Sequence, residues 1–322
     1  MNEFELIQQY FAHQPVTRPD VVVGIGDDAA VLDPPTDRQL VLSTDMLVAG
    51  VHFPLETEAD AIGYKSLAVN LSDLAAMGAE PAWFTLNLSL PAIDETWISG
   101  FCAGLFGLAR EHQVQLVGGD TTRGALTIGV QIAGFVARGQ ALLRRGARAG
   151  DLVYVSGELG GAALGLKCRR GELQLPDAER YAMLQRLDRP IPRVKEGQAL
   201  RGFASACIDI SDGLVADLGH VLEASGVGAR IELAALPLSP TYQANRTRIG
   251  WDAAVAHGDD YELCFTLPAE RQAALEKLAS RFACGFRRIG VVEAHPGLRL
   301  VDPAGNAYQP GVPGFDHFRT SK

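Results

Sequence analysis

The sequence predicts an α+β protein of two domains. Short strands and helices are mixed in both halves, without the regular alternation that indicates a doubly wound parallel sheet. The chain has 322 residues, a length that suggests about two domains. A polar, glycine-rich segment at 144–151 separates the halves, so we expect an N-terminal domain over 1–140 and a C-terminal domain over 141–322.

The N-terminal half is predicted to open with a short helix at 2–12. Strands are expected where short apolar runs rich in β-branched residues occur, at 21–24, 29–32, 39–47, 83–90, 114–117 and 125–137. Helical periodicity covers 59–77 and 94–112. Gly78, directly after the first of these helices, is a typical stop signal.

The C-terminal half is predicted to begin with a strand at 152–156. The same kind of apolar run predicts further strands at 205–210, 230–233, 261–267, 286–293 and 298–301. Helices are predicted at 161–169, 177–187, 194–203, 214–224 and 270–282. The two halves therefore contain similar elements, and both are expected to form mixed layers of sheet and helix.

Composition and charge exclude several classes of function. The net charge of −9 argues against a nucleic-acid partner. No run reaches the roughly 18 apolar residues of a membrane span, and the acidic first residues lack the apolar core of a signal peptide. The five cysteines are far apart and form no C-x-x-C pair, so we expect reduced cysteines in a cytoplasmic protein.

Aspartates adjoin apolar runs in five short segments, four of which also contain glycine. These segments are 26–28, 43–45, 118–121, 209–213 and 258–260. Carboxylates at the ends of strands that share a sheet converge and repel one another, so they need hard cations between them. Mg²⁺ is typically held by one or two carboxylates together with substrate phosphates. The pattern therefore predicts a metal-dependent enzyme that acts on phosphates.

Two common phosphate-binding motifs do not explain these segments. The segment 24–29 has the glycine spacing of a dinucleotide fingerprint, but it continues into a predicted strand and turn instead of a helix. The segment 160–165 has part of a P-loop spacing, but Leu166, Lys167 and Cys168 follow where Gly-Lys-Ser/Thr is required. Phosphate binding here cannot rest on a P-loop lysine.

Each segment also has a purely structural interpretation. Gly26-Asp27-Asp28 alone is most simply a tight turn. Thr44 and Asp45 lie in an apolar strand, where a charge is costly unless paired, so a ligand is favoured over an exposed edge position. Asn70 and Asp73 share one helical face, and a ligand pair and a helix cap explain them equally well.

The later segments leave the same choice open. The segment 118–122 is either a phosphate-binding loop after a strand or a β-turn. In the segment 209–214, Ser211 and Asp212 are either helix N-caps or metal ligands, and metal is at least as favoured. Arg144 is a phosphate contact or part of a solvated linker. His52 on its own is most simply an ordinary half-buried histidine.

The ordered set of motifs resembles the thiamine-monophosphate kinases. The motifs are G-D-D-A-A, S-T-D-M-L-V-x-x-V-H-F, N-L-S-D-L-A-A-M-G-A-x-P, G-G-D-T, D-I-S-D-G-L and H-G-D-D-Y-E-L-C-F. The resemblance extends from about Phe4 to Phe318, nearly the whole chain. This family belongs to the superfamily of aminoimidazole ribonucleotide synthetase, selenophosphate synthetase and a hydrogenase-maturation protein.

The resemblance implies ATP-dependent phosphorylation of thiamine monophosphate to thiamine diphosphate, the last step of thiamine diphosphate biosynthesis. It implies an aminoimidazole ribonucleotide synthetase-like architecture, with an N-terminal mixed sheet and helices that form a homodimer and bind most of the nucleotide. The C-terminal domain, an α/β sandwich, would complete the phosphate and substrate site. ATP is the implied co-substrate, several Mg²⁺ ions are the implied cofactors, and thiamine monophosphate is the implied acceptor.

The resemblance also implies residue roles by matching motif. The implied magnesium ligands are Asp27, Ser43, Thr44, Asp45, Asp73, Asp120, Asp209 and Asp212, of which Asp45, Asp120 and Asp209 carry catalysis. The implied ATP contacts are Gly119, Asp120, Arg144 and Ser211. The implied contacts to thiamine phosphate are His52, Asp259 and Phe315.

The chain departs from the family pattern at two positions. It has Asp259 where the family usually has glutamate, and Cys102 aligns with a tyrosine often found near the nucleotide. Rival functions fit less well. A selenophosphate synthetase should carry a reactive N-terminal cysteine, and the hydrogenase-maturation relative should end in cysteine, whereas this chain ends Ser321-Lys322. A non-catalytic ATP-binding protein would be expected to have lost some of the aspartates.

Overall fold

The computed structural model describes residues 2–13, 17–311 and 314. The chain divides into two compact units. Unit 1 comprises Met1–Leu74 and Ala79–Gly139, and unit 2 comprises Ala75–Gly78 and Gln140–Lys322. Each unit has a sheet of its own, with helices packed on it, which is the α+β organisation that the sequence predicts.

Unit 1 begins with helix α1, Glu3–Leu6, which continues into a π-helical turn, Ile7–Phe11. A capping box starts α1, because the side chains of Asn2 and Glu5 each accept a hydrogen bond from the other residue's main-chain N–H. Strands β1, Val21–Val23, and β2, Val31–Leu32, then form a small antiparallel pair.

A four-stranded mixed sheet forms the main layer of unit 1. Its strands are β3 (Arg38–Val48), β4 (Glu80–Leu90), β5 (Gln115–Arg123) and β6 (Thr127–Ala137), in the spatial order β3-β6-β4-β5. The β4–β5 pair is parallel and the other two pairs are antiparallel. Strands β3 and β5 are therefore the two edges, and the predicted mixed sheet is confirmed.

Two long helices, α2 (Ala59–Ala76) and α3 (Glu95–His112), pack closely in unit 1. Glycine makes this contact possible: a Cβ at Gly63 would lie 1.9 Å from a carbonyl oxygen of α3, and one at Gly104 would lie 1.8 Å from a carbonyl oxygen of α2. Helix α2 runs unbroken through Asp73, so neither Ser72 nor Asp73 caps a new helix.

Unit 2 is built on a seven-stranded sheet. Its strands are β7 (Leu152–Ser156), β8 (Ala206–Asp209), β9 (Gly228–Glu232), β10 (Leu263–Leu267), β11 (Phe286–Glu293), β12 (Gly297–Val301) and β13 (Ala307–Tyr308). The spatial order is β13-β12-β9-β11-β7-β10-β8, and only the β12–β9 pair is parallel. The end of β8 and the start of β10 meet at one edge of the sheet, because Asp209 pairs with Leu263.

Helices cover the sheet of unit 2. They are α4 (Gly161–Arg169), α5 (Asp177–Asp188), α6 (Val194–Leu200), α7 (Leu214–Ser225), α8 (Pro240–Ile249), α9 (Asp252–Val255) and α10 (Gln272–Ala279). Short 3₁₀ turns occur at Leu233–Ala235 and Ala269–Arg271. A single apolar core joins the strands with α4, α7 and α9.

The structure differs from the predicted elements in a few places. Strand β5 continues to Arg123, so Gly119 and Asp120 lie inside a strand and not in a turn after it. Helices α8 and α9 and strand β13 were not expected from the sequence. All five cysteines are free. No helix in the described part of the chain has the length and apolar character needed to cross a membrane.

Candidate active site

The carboxylates of unit 1 lie on strand β3 and helix α2. Side chains alternate along β3, so Ser43 and Asp45 share its half-buried face while Thr44 belongs to the exposed face. The Ser43 hydroxyl donates a hydrogen bond of 2.5 Å to Oδ2 of Asp73 on α2. The structure thus joins Ser43 to Asp73 and places Asp45 two residues along the same face.

Thr44 has a different environment from its two neighbours. Its hydroxyl donates to the main-chain oxygen of Val130 across the β3–β6 pair, at 3.1 Å. Because this side chain lies on the opposite face of β3 from Ser43 and Asp45, it does not join their group. Only a main-chain oxygen of Thr44 would be a suitable ligand for a cation held by that group.

Gly119 and Asp120 lie in the interior of edge strand β5. Gly119 has φ of +150°, and a Cβ there would lie 1.8 Å from the main-chain oxygen of Leu86, so only glycine allows this approach to β4. Asp120 pairs with Asn87 and is exposed. An exposed carboxylate next to a bare stretch of main chain is a suitable surface for a metal-bound phosphate.

The strand order separates Asp45 from Asp120 within one chain. Asp45 is on β3 and Asp120 is on β5, the two edges of the sheet. Three strand spacings of about 4.8 Å put them about 14 Å apart in a flat sheet. Mg²⁺ binds oxygen at about 2.1 Å, so both carboxylates of one sheet would not reach the same ion. The two aspartates therefore belong to different ends of this surface.

His52 follows β3 and has a defined proton position. Its ring Nδ1 accepts a hydrogen bond of 3.0 Å from the main-chain N–H of Val48. The main-chain N–H of His52 donates to the main-chain oxygen of Val48. An accepting Nδ1 carries no proton, so the neutral ring has its proton on Nε2. The buried Lys65 donates to the His52 oxygen at 3.5 Å, which further fixes this loop.

Asp27 lies in the connection between β1 and β2. It is exposed, and its Oδ1 accepts a hydrogen bond of 2.9 Å from the N–H of Asp28. The preceding Gly26 has φ of +128°. This geometry agrees with the tight turn that the local sequence favours.

In unit 2, the segment after β8 is organised by a buried carboxylate that sequence reasoning missed. Oδ2 of Asp217 on α7 accepts hydrogen bonds of 3.0 Å from the N–H groups of both Asp212 and Gly213. Burial, and then the charge of Asp212, raise the pKa of Asp217 to about 7. The N-cap of α7 is Gly213, so the N-cap interpretation of Ser211 and Asp212 is wrong.

A second loop of unit 2, residues 257–262, lies directly against this segment. The N–H of Asp259 donates to the Ser211 oxygen at 2.9 Å, and the N–H of Tyr261 donates to the Ile210 oxygen at 2.8 Å. Asp259 and Tyr261 have φ of +70° and +49°, a left-handed conformation that side chains disfavour. The structure therefore brings Asp259 beside Ser211 and holds the loop in a strained form.

Two further acidic residues of this loop, Asp260 and Glu262, anchor it to neighbouring segments of unit 2. Oδ2 of Asp260 accepts from the N–H of Gly160 at 2.7 Å, and burial raises the pKa of Asp260 to about 8. Glu262 is only 2% exposed. Its carboxylate accepts hydrogen bonds from Nε and Nη2 of Arg193, at 2.7 and 2.5 Å. Ser156 also donates to Glu262, at 2.5 Å. No local pattern links residues this far apart in sequence, so the sequence carried no signal of the ion pair.

The remaining predicted residues of unit 2 are at its surface or outside the described residues. Arg144 is exposed, and its main-chain oxygen accepts from the Ser225 hydroxyl at 3.4 Å. Phe315 lies outside the described residues. Gly314, which precedes it, is described: a Cβ there would lie 3.3 Å from the Asp212 oxygen. Gly314 itself therefore lies beside the segment that follows β8.

The donor set fits magnesium. The predicted ligands supply carboxylate and hydroxyl oxygens, which hard cations prefer. Across residues 2–13, 17–311 and 314, no three His, Cys, Asp or Glu side chains form a group able to hold a metal alone. Asp45 and Asp73 with the Ser43 hydroxyl match the one or two carboxylates that Mg²⁺ takes from a protein when water and phosphates supply the rest.

One cavity of unit 2 has a volume of about 550 Å³. Its wall includes Glu158, Leu236, Gln243, Phe286 and Arg288. None of the residues implied as metal, nucleotide or substrate contacts lines it. The candidate site is accordingly the set of strand and loop residues described above, and not this cavity.

Comparison with known proteins identifies the family. The model for AIR synthase related protein, N-terminal domain, matches residues 26–136, and that for the C-terminal domain matches residues 148–303. The thiamine-monophosphate kinase of Escherichia coli (strain K12) is 46% identical over 323 residues, 99% of this chain and 98% of the relative. The chain belongs to the thiamine-monophosphate kinase family. The resemblance inferred from the motifs is thereby confirmed.

Solved structures of the family agree in fold. The thiamine-monophosphate kinase from Stenotrophomonas maltophilia K279a is 48% identical with a TM-score of 0.85, covering 90% of this chain and 93% of that one. AaThiL complexed with AMPPCP and TMP is 33% identical with a TM-score of 0.78, covering 91% and 92%. The hydrogenase-maturation protein HypE of E. coli, at 21% identity and a TM-score of 0.79, shares the fold.

Proposed function

We propose that this protein transfers the γ-phosphoryl group of ATP directly to the phosphate of thiamine monophosphate. One observation carries the proposal: the thiamine-monophosphate kinase of Escherichia coli matches 99% of the chain at 46% identity. AaThiL, which the chain resembles over 91% of its length, is complexed with AMPPCP, an ATP analogue, and TMP. The aspartates would hold the cations whose positive charge a reaction between two phosphates requires.

Unit 1 supplies the residues that bind the nucleotide and its metal. Asp45 and Asp73 would hold Mg²⁺, with Ser43 fixed against Asp73 by its hydrogen bond. When bound, Mg²⁺ neutralises the charge of the two phosphates that must approach each other. Gly119 keeps the main chain of β5 accessible to a phosphate, and Asp120 beside it would bind a metal held by that phosphate.

The other ligands of the proposal are more peripheral. Asp27 would reach a cation from the turn between β1 and β2, and Thr44 would offer its main-chain oxygen. In unit 2, Asp209 and Asp212 would hold metal at the segment after β8, where Ser211 and Arg144 would contact the nucleotide. The two hydrogen bonds from Asp212 and Gly213 to Asp217 fix the main chain of this segment.

The acceptor would be held by His52, Asp259 and Phe315. The ring proton of His52 on Nε2 makes it a donor to the acceptor phosphate. Asp259 would bind the cationic thiamine part, and its carboxylate is shorter by one methylene than the family's usual glutamate. The left-handed main-chain conformation at Asp259 and Tyr261 fixes the direction in which the Asp259 side chain leaves the main chain.

No general base is needed for this transfer. The attacking oxygen belongs to a phosphomonoester, whose second pKa is about 6, so it is already ionised near neutral pH. The work left to the protein is positioning and charge neutralisation. This agrees with a site rich in aspartate, in which His52 holds its proton on Nε2 as a donor.

We further propose that the protein is a symmetric homodimer joined through unit 1. The outer face of β3 exposes the apolar side chains of Leu40, Leu42 and Met46, at 50, 57 and 63%. Burying such a patch against its own copy is the usual reason for a two-fold interface. A monomer in sedimentation at micromolar concentration would contradict this assembly.

The dimer also explains how Asp45 and Asp120 can serve one metal. If β3 of one copy lies beside β5 of the other, each Asp45 meets an Asp120 of the second copy. Mixed Asp45→Asn and Asp120→Asn subunits would then regain up to about a quarter of wild-type activity, since half the dimers are mixed and each has one intact pair. No recovery in mixtures that exchange subunits would rule this arrangement out.

The proposed reaction is tested with purified protein, Mg²⁺-ATP and thiamine monophosphate. ADP and thiamine diphosphate should appear in equal amounts, no phosphoenzyme should accumulate, and full chelation should stop turnover. Activity that survives chelation with metal-free nucleotide would contradict the mechanism. Five free cysteines suit a reducing compartment, and we propose the cytoplasm as the place of action.

A further inference from the structure

Asn70 is a fully buried polar residue in the middle of helix α2. Its Nδ2 donates a hydrogen bond of 3.0 Å to the main-chain oxygen of Ser66, one turn earlier. A carbonyl oxygen cannot donate to that acceptor, so the bond fixes which way the amide points. Oδ1 must therefore face away from Ser66.

Oδ1 of Asn70 has no hydrogen-bond partner. Among the described residues, it is the only buried side-chain nitrogen or oxygen atom that lacks a hydrogen-bond partner. Buried acceptors are nearly always satisfied, and an unsatisfied one weakens the fold. An apolar side chain of the same size would avoid that loss, so the amide at this position points to a ligand that it binds.

Two contacts show where Asn70 lies along β3. Ser43 of β3 contacts Asp73 of α2, and the His52 loop contacts Lys65 of α2, so the helix runs antiparallel to the strand. Asn70 is about 4.5 Å before Asp73 along the helix axis. Asp45 is about 6.6 Å beyond Ser43 along the strand, in the same direction. Asn70 is therefore level with Asp45.

Asn70 also faces the sheet and not α3. Leu74, one turn after Asn70, lies against β6, where its Cδ1 would be 3.0 Å from a Cβ at Gly134. Residues four apart share a helix face, so Asn70 belongs to the sheet-facing side. Asp73 is about 60° around the helix from Asn70, toward β3. Asn70 thus faces the sheet beside Asp73, the residue that contacts Ser43 on β3.

We propose that Oδ1 of Asn70 is an additional oxygen donor to the divalent cation held by Asp45 and Asp73. The inference deepens the proposed function and rests on it. Amide oxygens are good ligands for hard cations, and a neutral donor adds no repulsion between the two carboxylates. It would add a protein oxygen to a site where the described residues hold no group of three acidic, histidine or cysteine side chains.

The test compares Mn²⁺ binding by wild type and variants, with Mn²⁺ alone followed by electron paramagnetic resonance. Asn70→Leu keeps the size and removes the oxygen, so Mn²⁺ affinity should fall at least about tenfold and the Mn²⁺-induced rise in Tm should shrink. Asn70→Asp should bind Mn²⁺ more tightly and lose Tm without it. Asn245→Ala is the matched control, because Asn245 makes the same type of bond to Thr241 in α8.

Wild-type affinity for Mn²⁺ in the Leu variant, or no Mn²⁺ binding by the wild type, would overturn the inference. If the Leu variant does not fold, Asn70→Asp decides: Mn²⁺ affinity no higher than that of the wild type contradicts the donor role. Mn²⁺ binding needs no acceptor substrate. A wild type that binds Mn²⁺ but does not phosphorylate thiamine monophosphate would therefore refute the proposed function separately.

Discussion

The acidic residues near the proposed metal-binding positions have different surroundings in the two units. In unit 1, Asp45 lies on a long regular strand and Asp73 on a long regular helix, and both side chains emerge half-buried from ordinary backbone. In unit 2, Asp217, Asp260 and Glu262 are engaged by main-chain N–H groups or by arginine. Two of these have pKa values raised to about 7 and about 8.

We infer that the difference separates residues that bind a cation from residues that hold a loop in place. A carboxylate that accepts hydrogen bonds from main-chain N–H groups organises a loop, whereas we propose that Asp45 and Asp73 bind a cation. Both kinds occur in Asp-rich motifs, so the sequence motif alone does not distinguish them. The strained main chain of unit 2 at Asp259 and Tyr261 shows what the supporting carboxylates hold in place.

The largest expected difference between the two kinds of carboxylate is in kcat. Asp45→Asn removes a negative ligand and should lower kcat by on the order of 10³ with the fold intact. Asp217→Asn keeps an oxygen that accepts from the same two N–H groups, so its loss should stay below about tenfold. Steady-state kinetics at saturating Mg²⁺ and circular dichroism are the measurements. Equal losses in the two variants would erase the distinction.

For stability we expect the opposite order, with the larger loss from the substitution in unit 2. Glu262→Gln in unit 2 leaves the buried Arg193 without its counter-charge and should cost about 3–5 kcal/mol of unfolding free energy. The matched pair in unit 1 is Arg38–Glu80, in which the Glu80 side chain is 51% exposed. Glu80→Gln should cost less than about 1 kcal/mol. Urea unfolding measures both, and a loss below 1 kcal/mol at Glu262 would show that the pair does not support the loop.

A smaller effect concerns pH. The pKa of Asp260 is about 8 in the folded protein, raised first by burial, and about 3.9 when unfolded. Between these values the folded state retains a proton that the unfolded state has lost. Stability from this group is therefore full below about pH 4 and declines as pH rises to 8, by at most about 1.4 kcal/mol per pH unit.

Asp260→Asn is neutral at every pH and should remove that part of the slope. Urea midpoints at pH 5, 6, 7 and 8 compare the variant with the wild type. The wild-type curve should fall more steeply toward pH 8 than the variant curve. Parallel curves would mean that Asp260 is ionised in the folded protein and that its bond to Gly160 outweighs its burial.

The fold was largely predictable because its signals are local. The strand at Leu152–Ser156 and the helix at Gly161–Arg169 have the bounds that periodicity predicts. Helix α8 was missed because its residues are polar and not periodic, although Ser239 before it and Pro240 at its first position form a typical helix start. Its strongest signal was therefore the cap and not the pattern of apolar residues.

The candidate site was predictable as a set of residues but not as a geometry. The ordered motifs identified Asp45 and Asp120 together, yet the order of strands puts them on opposite edges of one sheet. Strand order depends on pairing between distant segments, which no local pattern encodes. The same limit applies to Arg193 and Glu262, 69 residues apart, and to the unpaired oxygen of Asn70.

The central claim is that an acceptor phosphate is both the anchor and the nucleophile. The direct measurement is the ratio of kcat/KM for thiamine monophosphate to that for unphosphorylated thiamine, with Mg²⁺-ATP at saturation. Thiamine brings no charge to the metals, and its hydroxyl has a high pKa and needs a base. The ratio should therefore exceed about 10³. Phosphorylation of thiamine at a comparable rate would contradict the account.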